Sequence, residues 1–432
     1  MLIRFAVQNW MSFRDLATLS LLASRERQHG QRVARVPRHR LGVLPIAAIY
    51  GGNASGKSNL FKALAFAKQF IVQGTQVDQV IAVYPFRLDS QTQQAASEFV
   101  FELLIGEKIY EYRFAVSYQQ VVMERLTLMR ATTEHVIFER HKQDVTAVHV
   151  PDSEASFWKF IKQAMRPNQL LLTTAIQLQH APFLPIYHWF RDTLLLISPD
   201  TRFGDSEQFF DKQHRHFDQM NQILRLLDTG IHELAGQAVP LQLIPLPDEI
   251  KSKLWSDIPE GATARIIDPG SSERIIVTRR NGELTAQKVV AMHERVDGGY
   301  EAFSMSQESD GTNRIIDLLP AILEATDHHT PHVVVIDEVD RSLHTLITQH
   351  VVQHFLASCT PQTRSQLLLT LHDVLLMDQH TLRRDEMWLT ERQSDGASTL
   401  IALSEYAGLR DDTDIRKSYL QGRFGGVPRI FW

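Results

Sequence analysis

The sequence predicts an α/β fold. A parallel-sheet core is split into two halves, residues 1–150 and 301–432, by a mainly helical insertion over residues 151–300. An antiparallel β meander lies beside the first half. Three observations carry this reading. Leu44 to Tyr50 is an unbroken apolar run, as in a strand buried on both faces, and it leads through a glycine-rich turn into helical periodicity. From Glu98 to Arg140 the texture changes to alternation. After Ser304, apolar strands and helices again follow one another.

The elements follow in order. Leu2 to Gln8 is rich in β formers, and Ala17 to Ala23 is a second short apolar run. The helix after the glycine-rich turn extends from Lys57 to about Ile71. The runs Phe99–Leu104 and Tyr110–Phe114 flank Gly106, which marks a hairpin. Asp152 to Asp228 reads as mostly helical, notably Phe157–Met165 and Phe217–Leu227. A proline-rich passage from Val239 to Pro259 reads as an exposed connection. Asn281-Gly282 is a two-residue turn between two runs within Ile275–Ala291. The second half then predicts a helix from Gly311 to Ala325, a strand from His332 to Ile336, a helix from Leu343 to Ala357 and a strand from Gln366 to Thr370.

Composition narrows the function classes. The 432 residues suffice for two or three packed units, and 44% hydrophobic content is ordinary for a globular chain. No apolar run approaches the ~18 residues of a membrane span. Met1-Leu2-Ile3-Arg4-Phe5 lacks the build of a secretory leader, so a cytoplasmic address is expected. Cys359 is the sole cysteine, which excludes a disulfide framework and a thiolate zinc site. A net charge of −5 argues against coating nucleic acid through bulk electrostatics. One local exception is the run of Arg25, Arg27, Arg32, Arg35, Arg38 and Arg40, with Glu26 its single acid. It fits either a phosphate-contacting surface or a solvated loop.

Gly51-Gly52-Asn53-Ala54-Ser55-Gly56-Lys57-Ser58 matches G-x-x-x-x-G-K-[ST] without deviation, between a buried strand and a helix. Gly51 and Gly56 let the backbone wrap closely, so that successive N–H groups point at phosphate oxygens. The helix beginning near Lys57 turns its positive dipole end toward the same anion. Lys57 is expected to bridge the β- and γ-phosphates of ATP and Ser58 to hold Mg²⁺. Asn53, Ala54, Ser55 and Asn59 complete the loop's contacts.

Val333-Val334-Val335-Ile336-Asp337-Glu338 is an apolar strand ending in two acids, where α/β folds place ligands. Asp337 would orient Mg²⁺, and Glu338 would polarise the attacking water.

These motifs, taken in order, resemble the SMC/RecF/OLD branch of ABC-type ATPases. Within it, the chain is most similar to the small OLD-like AAA ATPases of bacterial anti-phage and abortive-infection loci, PARIS-like systems among them. The resemblance is carried by Gly51–Ser58, by Glu308-Ser309-Asp310-Gly311-Thr312-Asn313-Arg314 and by Asp337-Glu338-Val339-Asp340-Arg341-Ser342-Leu343-His344. Thr370-Leu371-His372-Asp373 and the ending Tyr419-Leu420-Gln421-Gly422-Arg423-Phe424-Gly425-Gly426-Val427-Pro428 add to it. It is dense over 1–60 and 304–428 and thin between.

The resemblance implies an ABC-type P-loop core and further roles. Ser309, Asp310 and Gly311 would form a signature loop that engages the γ-phosphate bound to another subunit. The helix start after Ser309 suits an anion. Ser-Asp-Gly in place of Ser-Gly-Gly disfavours a transporter. Asp340 would be the D-loop aspartate and His372 the switch histidine. The Q-loop glutamine is open among Gln73, Gln76, Gln79 and others, near Pro85-Phe86-Arg87-Leu88-Asp89. One of Trp10, Phe13 and Arg14 is expected to approach the nucleotide.

The implied protein is a homo-oligomer that sandwiches ATP between subunits, with the insertion serving oligomer or partner contacts. Residues 373–432 are too few for a second domain of typical size, and Asp411, Asp412 and Asp414 read as a polar loop. A nuclease or toxin effector is therefore expected as a separate protein, and a phage-derived trigger would act on the complex. Two other readings stand beside this one: a DNA-engaging repair-type ATPase that uses the arginine run, and a scaffold held by slowly turned-over ATP.

Overall fold

The computed structural model describes residues 1–147, 155–200, 215–244, 246–267, 273–327, 329–406 and 414–427. The chain is mixed α/β and divides into two compact units. The first comprises Met1–Asp200, Glu324–Asp340 and Thr348–Trp432; the second comprises Thr201–Leu323 and Arg341–Ile347.

The first unit is built on two sheets. One has six strands in the order Leu194–Ile197, Val333–Ile336, Gln366–Thr370, Ile46–Tyr50, Met387–Arg392 and Ser398–Ala402. All neighbours are parallel except the last pair. Its central strands are apolar along their whole length because both faces are covered, and every residue of Ile46–Tyr50 and Val333–Ile336 is buried. Gln366 is a polar exception, as Thr370 is at the other end of its strand. The Gln366 amide accepts from Leu2 N at 2.6 Å and donates to the carbonyls of Leu2 and Leu44, tying the first strand to the core with no buried donor left open.

The other sheet has seven antiparallel strands. Ser97–Ile105, Lys108–Val116, Val121–Met129, Glu134–His141 and Asp144–Ala147 form the expected meander, and Leu2–Gln8 and Ala17–Ser20 continue it at the Ser97–Ile105 edge. Gly106 turns the first hairpin at φ 59. Phe99, Phe101, Tyr112, Phe114 and Trp10 fill the core beneath it. Glu124 and Arg140, both fully buried, clamp this sheet to the helix Leu171–Gln177. Glu124 accepts from Tyr112 Oη and from the amides of Leu171 and Leu172.

The second unit carries a five-stranded antiparallel sheet. Glu283–Glu294 is its spine: Ile231–Ala238 pairs along one side, while Arg274–Arg280 and Tyr300–Ser304 share the other, and Thr263–Ile267 extends from Arg274–Arg280. Two apolar clusters hold the unit, one around Leu224, Leu234, Val289 and Ile316, the other around Ile244, Ile266 and Val277.

Residues 151–300 thus hold more strand than their sequence suggests, and the described residues 155–200 pack with the first unit because Leu194–Ile197 adds to its parallel sheet. The proline-rich passage is not a bare connection. It contains the helix Asp248–Asp257, which follows Pro247 and opens with two acids. Part of the expected helical stretch, residues 201–214, lies outside the described residues, as do Asp411, Asp412 and Pro428. Among the described residues, no helix is long and apolar enough to cross a membrane.

Candidate nucleotide site

The strand Ile46–Tyr50 ends in the loop Gly51–Gly56, and the helix Lys57–Gln73 begins at once. The loop is drawn tight against the neighbouring strand. Gly51 (φ 154) has no room for a Cβ, which would collide with Thr390, and at Gly56 (φ 117) a Cβ would come within 2.7 Å of Ser398 Oγ. Ala54 also takes a left-handed conformation, φ 59. Ser55 and Thr390 share a hydroxyl–hydroxyl hydrogen bond of 2.6 Å, and Thr390 Oγ1 reaches Tyr50 O at 3.2 Å. Lys57 folds back over the loop and donates from Nζ to Gly51 O at 2.7 Å and Gly52 O at 3.2 Å. A cavity of about 310 Å³ opens there, lined by residues 52–59, Glu338 and His372.

The acids arrive from the next strands. Ser58 Oγ donates to Asp337 Oδ1 at 3.3 Å, and Thr370 Oγ1 donates to the same oxygen at 2.5 Å while accepting the Glu338 amide at 2.7 Å. Glu338 adopts φ 50, unusual for a side-chain-bearing residue, at the tip of its strand. His372 Nε2 lies 3.9 Å from Glu338 Oε1. Asp340 Oδ2 accepts from the amides of His372 at 2.8 Å and Asp373 at 2.6 Å, while its Oδ1 is buried with no hydrogen-bond partner among the described residues.

Electrostatics follow from burial. Desolvation lowers the pKa of the Lys57 ammonium, while Asp340, Asp337 and Glu338 pull it back up. Burial also raises the Tyr50 phenol well above its ordinary value. A hydroxyl and a carboxylate 3.3 Å apart, beside a lysine and a ring of loop amides, are hard-oxygen donors of the kind Mg²⁺ takes. Ser58 and Asp337 would hold that ion, and the set fits it.

The other expectations fall out variously. Trp10 is buried and donates from Nε1 to Asn59 O at 3.0 Å. Asn59 in turn donates to Ser12 Oγ at 2.8 Å, so the N-terminal turn braces the start of the loop's helix. Phe13 is core, and Arg14 pairs with Asp15 and Asp395. None of Gln73, Gln76 and Gln79 lines the cavity. The segment around Phe86 is pinned to the same N-terminal turn, Phe86 N donating to Asn9 Oδ1 at 3.0 Å.

Lys57, Ser58, Asp337, Glu338, Asp340 and His372 belong to the first unit, and Ser309–Gly311 to the second. Exposed Ser309 starts the helix Asp310–Thr326, its hydroxyl accepting from Thr312 N at 3.1 Å. Gly311 must be glycine, since a Cβ would stand 2.7 Å from Ser342 O. Of the arginine run, Arg32 is buried against Glu386, while Arg25, Arg27, Arg35, Arg38 and Arg40 are exposed. Asp414 caps a helix, its carboxylate accepting from Lys417 N at 3.0 Å.

Sequence reasoning named Thr370 and the ending Tyr419–Pro428 as part of the resemblance but gave them no role, and it did not single out Thr390. A threonine closing an apolar strand beside an acidic strand end was the one local signal available.

Among solved structures, the chain is similar to the SMC head domain from Thermotoga maritima, with 13% identity over 93% of this chain and 98% of that one and a TM-score of 0.35. It is similar to the same degree to an SmcHead bound to the C-winged helix domain of ScpA, at 13% identity over 93% and 97% of the two chains, TM-score 0.35. No curated protein matches it. The profile of one sequence family matches residues 46–378, which hold the phosphate loop, both strand-end acids and His372. The chain belongs to that family, described as AAA domain, putative AbiEii toxin, Type IV TA system.

Proposed function

We propose that this protein binds ATP with Mg²⁺, hydrolyses it between paired subunits, and thereby regulates a separate effector, a nuclease or toxin, in an anti-phage defence complex. The observation that carries the ATPase reading is the meeting of Lys57, Ser58, Asp337, Glu338 and His372 around one cavity, from three strand ends of a parallel sheet.

The chain's own groups divide the work. The loop amides and Lys57 take up the phosphates, and the helix N-terminus favours their charge. Ser58 and Asp337 would hold Mg²⁺, which would neutralise phosphate charge. Glu338 orients the attacking water and accepts its proton, and His372 beside it faces the terminal phosphate. Asp340 fixes the backbone of His372 and Asp373 and so sets where the histidine stands. Ser309, exposed at a helix start, is suited to close the site of a second copy.

The regulatory part rests on the resemblance to anti-phage OLD-like ATPases and on the family description, which names a toxin–antitoxin system. The five exposed arginines between Arg25 and Arg40 support a second reading, engagement of nucleic acid.

The test is ATP turnover by the purified protein. Release of phosphate that needs Mg²⁺ and disappears in Lys57→Ala supports the reading; absence of both nucleotide binding and turnover in the wild type would sink it. Steep salt-dependent DNA binding by the wild type would favour the second reading.

A further inference from the structure

The segment Tyr419–Val427 begins in the last two residues of the helix Ile415–Leu420 and closes on the phosphate loop. Gly422 (φ 74) ends the helix, its amide donating to Tyr419 O at 2.7 Å. Phe424 packs on Tyr406, ring centroids 5.3 Å apart, and the Tyr406 hydroxyl donates to Phe424 O at 2.7 Å. Gly425 and Gly426 come next with φ of 71 and 72. A Cβ at Gly425 would run into the Glu391 carboxylate, and one at Gly426 would lie 3.3 Å from the Tyr419 ring and 3.4 Å from Thr390 O. Both positions favour glycine by conformation, and a side chain at either would also displace a neighbour.

Their placement brings one carbonyl to the loop. Gly426 O accepts from Tyr419 Oη at 2.9 Å and from Gly52 N at 2.8 Å. Thr390 is bonded to Ser55 on the loop side, and a Cβ at Gly426 would stand 3.4 Å from its carbonyl oxygen. A second cavity of about 280 Å³, lined in part by Gly52, Asn53, Ser55, Arg392, Gly426 and Val427, shares Gly52, Asn53 and Ser55 with the phosphate cavity.

We infer that Tyr419–Val427 is a latch that positions the phosphate loop, with Gly426 O and the Tyr419 hydroxyl holding the Gly52 peptide so that the loop's amides stay pre-arranged for phosphate. Held amides bind phosphate without the ordering cost that a free loop bears. Linkage then makes the effect reciprocal: if docking of the tail tightens nucleotide binding by a given factor, nucleotide tightens docking of the tail by the same factor. Occupancy of the loop is therefore felt at Tyr419–Val427. This rests on the nucleotide reading of the loop.

The experiment measures amide hydrogen exchange over residues 50–58 in nucleotide-free full-length protein, and ATP affinity in parallel. Tyr419→Phe removes one hydrogen bond and should speed loop exchange about fivefold; Gly425→Ala should speed it more. Gly106→Ala, which puts the same conformational demand on a hairpin tip with open space around it, should leave the loop unchanged. ATP affinity should fall in the order of the exchange changes, with KM moving and kcat held, and ATP should slow exchange over residues 419–427 in the wild type. Loop exchange unaltered in both Tyr419→Phe and Gly425→Ala, in variants with wild-type circular dichroism, would overturn the latch. Wild-type protein that fails to bind ATP would instead refute the nucleotide reading, and the nucleotide-free exchange would still judge the latch.

Discussion

Thr370 holds Asp337. Its hydroxyl donates to Asp337 Oδ1 at 2.5 Å and, in the same position, accepts the amide of Glu338. Both side chains are almost fully buried, and the parallel register that aligns Ile336 with Leu369 sets the two strand ends side by side. One hydroxyl therefore orients the proposed metal-binding carboxylate and the backbone that presents the proposed water-orienting one.

Thr370→Val keeps the shape and removes the hydroxyl. It should cost about 1–3 kcal/mol of stability, because a buried carboxylate loses a donor and an amide loses its acceptor. Mg²⁺-dependent ATP binding should weaken more than Mg²⁺-free binding. Urea unfolding and paired nucleotide titrations check both, and equal weakening with and without Mg²⁺ would detach Thr370 from the metal.

Glu338→Gln should leave ATP binding intact and reduce hydrolysis by roughly 10²–10⁴-fold, the usual weight of a general base. Phosphate release under single-turnover conditions measures it. Undiminished turnover would remove Glu338 from the water's path.

If Ser309 completes the site of a second copy, Lys57→Ala and Ser309→Ala should each be inactive alone and complement when mixed. Half of the randomly formed dimers then carry one intact site, so turnover should recover to about a quarter of wild type. Recovery at the level of background would mean that both residues serve the same subunit.

Lys57 titrates where its charge matters. Burial pulls its pKa below the ordinary 10.5, against the opposing pull of Asp340, Asp337 and Glu338. The loss of charge on raising pH therefore comes earlier than for a free lysine, and ATP affinity should fall through that range as the pH is raised. Lys57→Ala should show no such decline, and a flat wild-type profile would argue against a phosphate contact.

Glu386 should leave a mark on stability. Burial outweighs the pull of Arg32 and raises its pKa from 4.5 to about 7. The folded chain retains a proton that the unfolded chain releases across this window. The contribution is therefore complete below 4.5 and lost as the pH rises to about 7. Denaturant midpoints across the window should fall with pH, and Glu386→Gln should flatten that slope.

The legible parts of the molecule are those whose cause is local. Gly51–Ser58 is recognisable because loop, lysine and helix start are contiguous, and Asp337–Glu338 because an apolar strand must end where its acids begin. The meander was visible in its alternation and in Gly106. The roles of Thr370, Thr390 and Gly426 were not, because each comes from a partner distant in sequence: Thr370 from Asp337, Thr390 from Ser55, Gly426 from Gly52. The strand Ile231–Ala238 escaped because its outer half is exposed on both faces and carries no alternation. Asp248–Asp257 escaped because prolines on either side outweighed the helix signal of Asp248 and Glu249.

The order of strands in the parallel sheet bears on how the protein is made. Ile46–Tyr50 lies between Gln366–Thr370 and Met387–Arg392, so a ribosome that has emitted three quarters of the chain exposes a wholly apolar strand with neither neighbour yet synthesised. Until Gln366–Thr370 and Met387–Arg392 have been made, that strand is a sticky, unpaired edge. Premature termination anywhere before residue 387 should thus yield aggregates rather than a smaller folded protein, and chaperone demand during synthesis should be high.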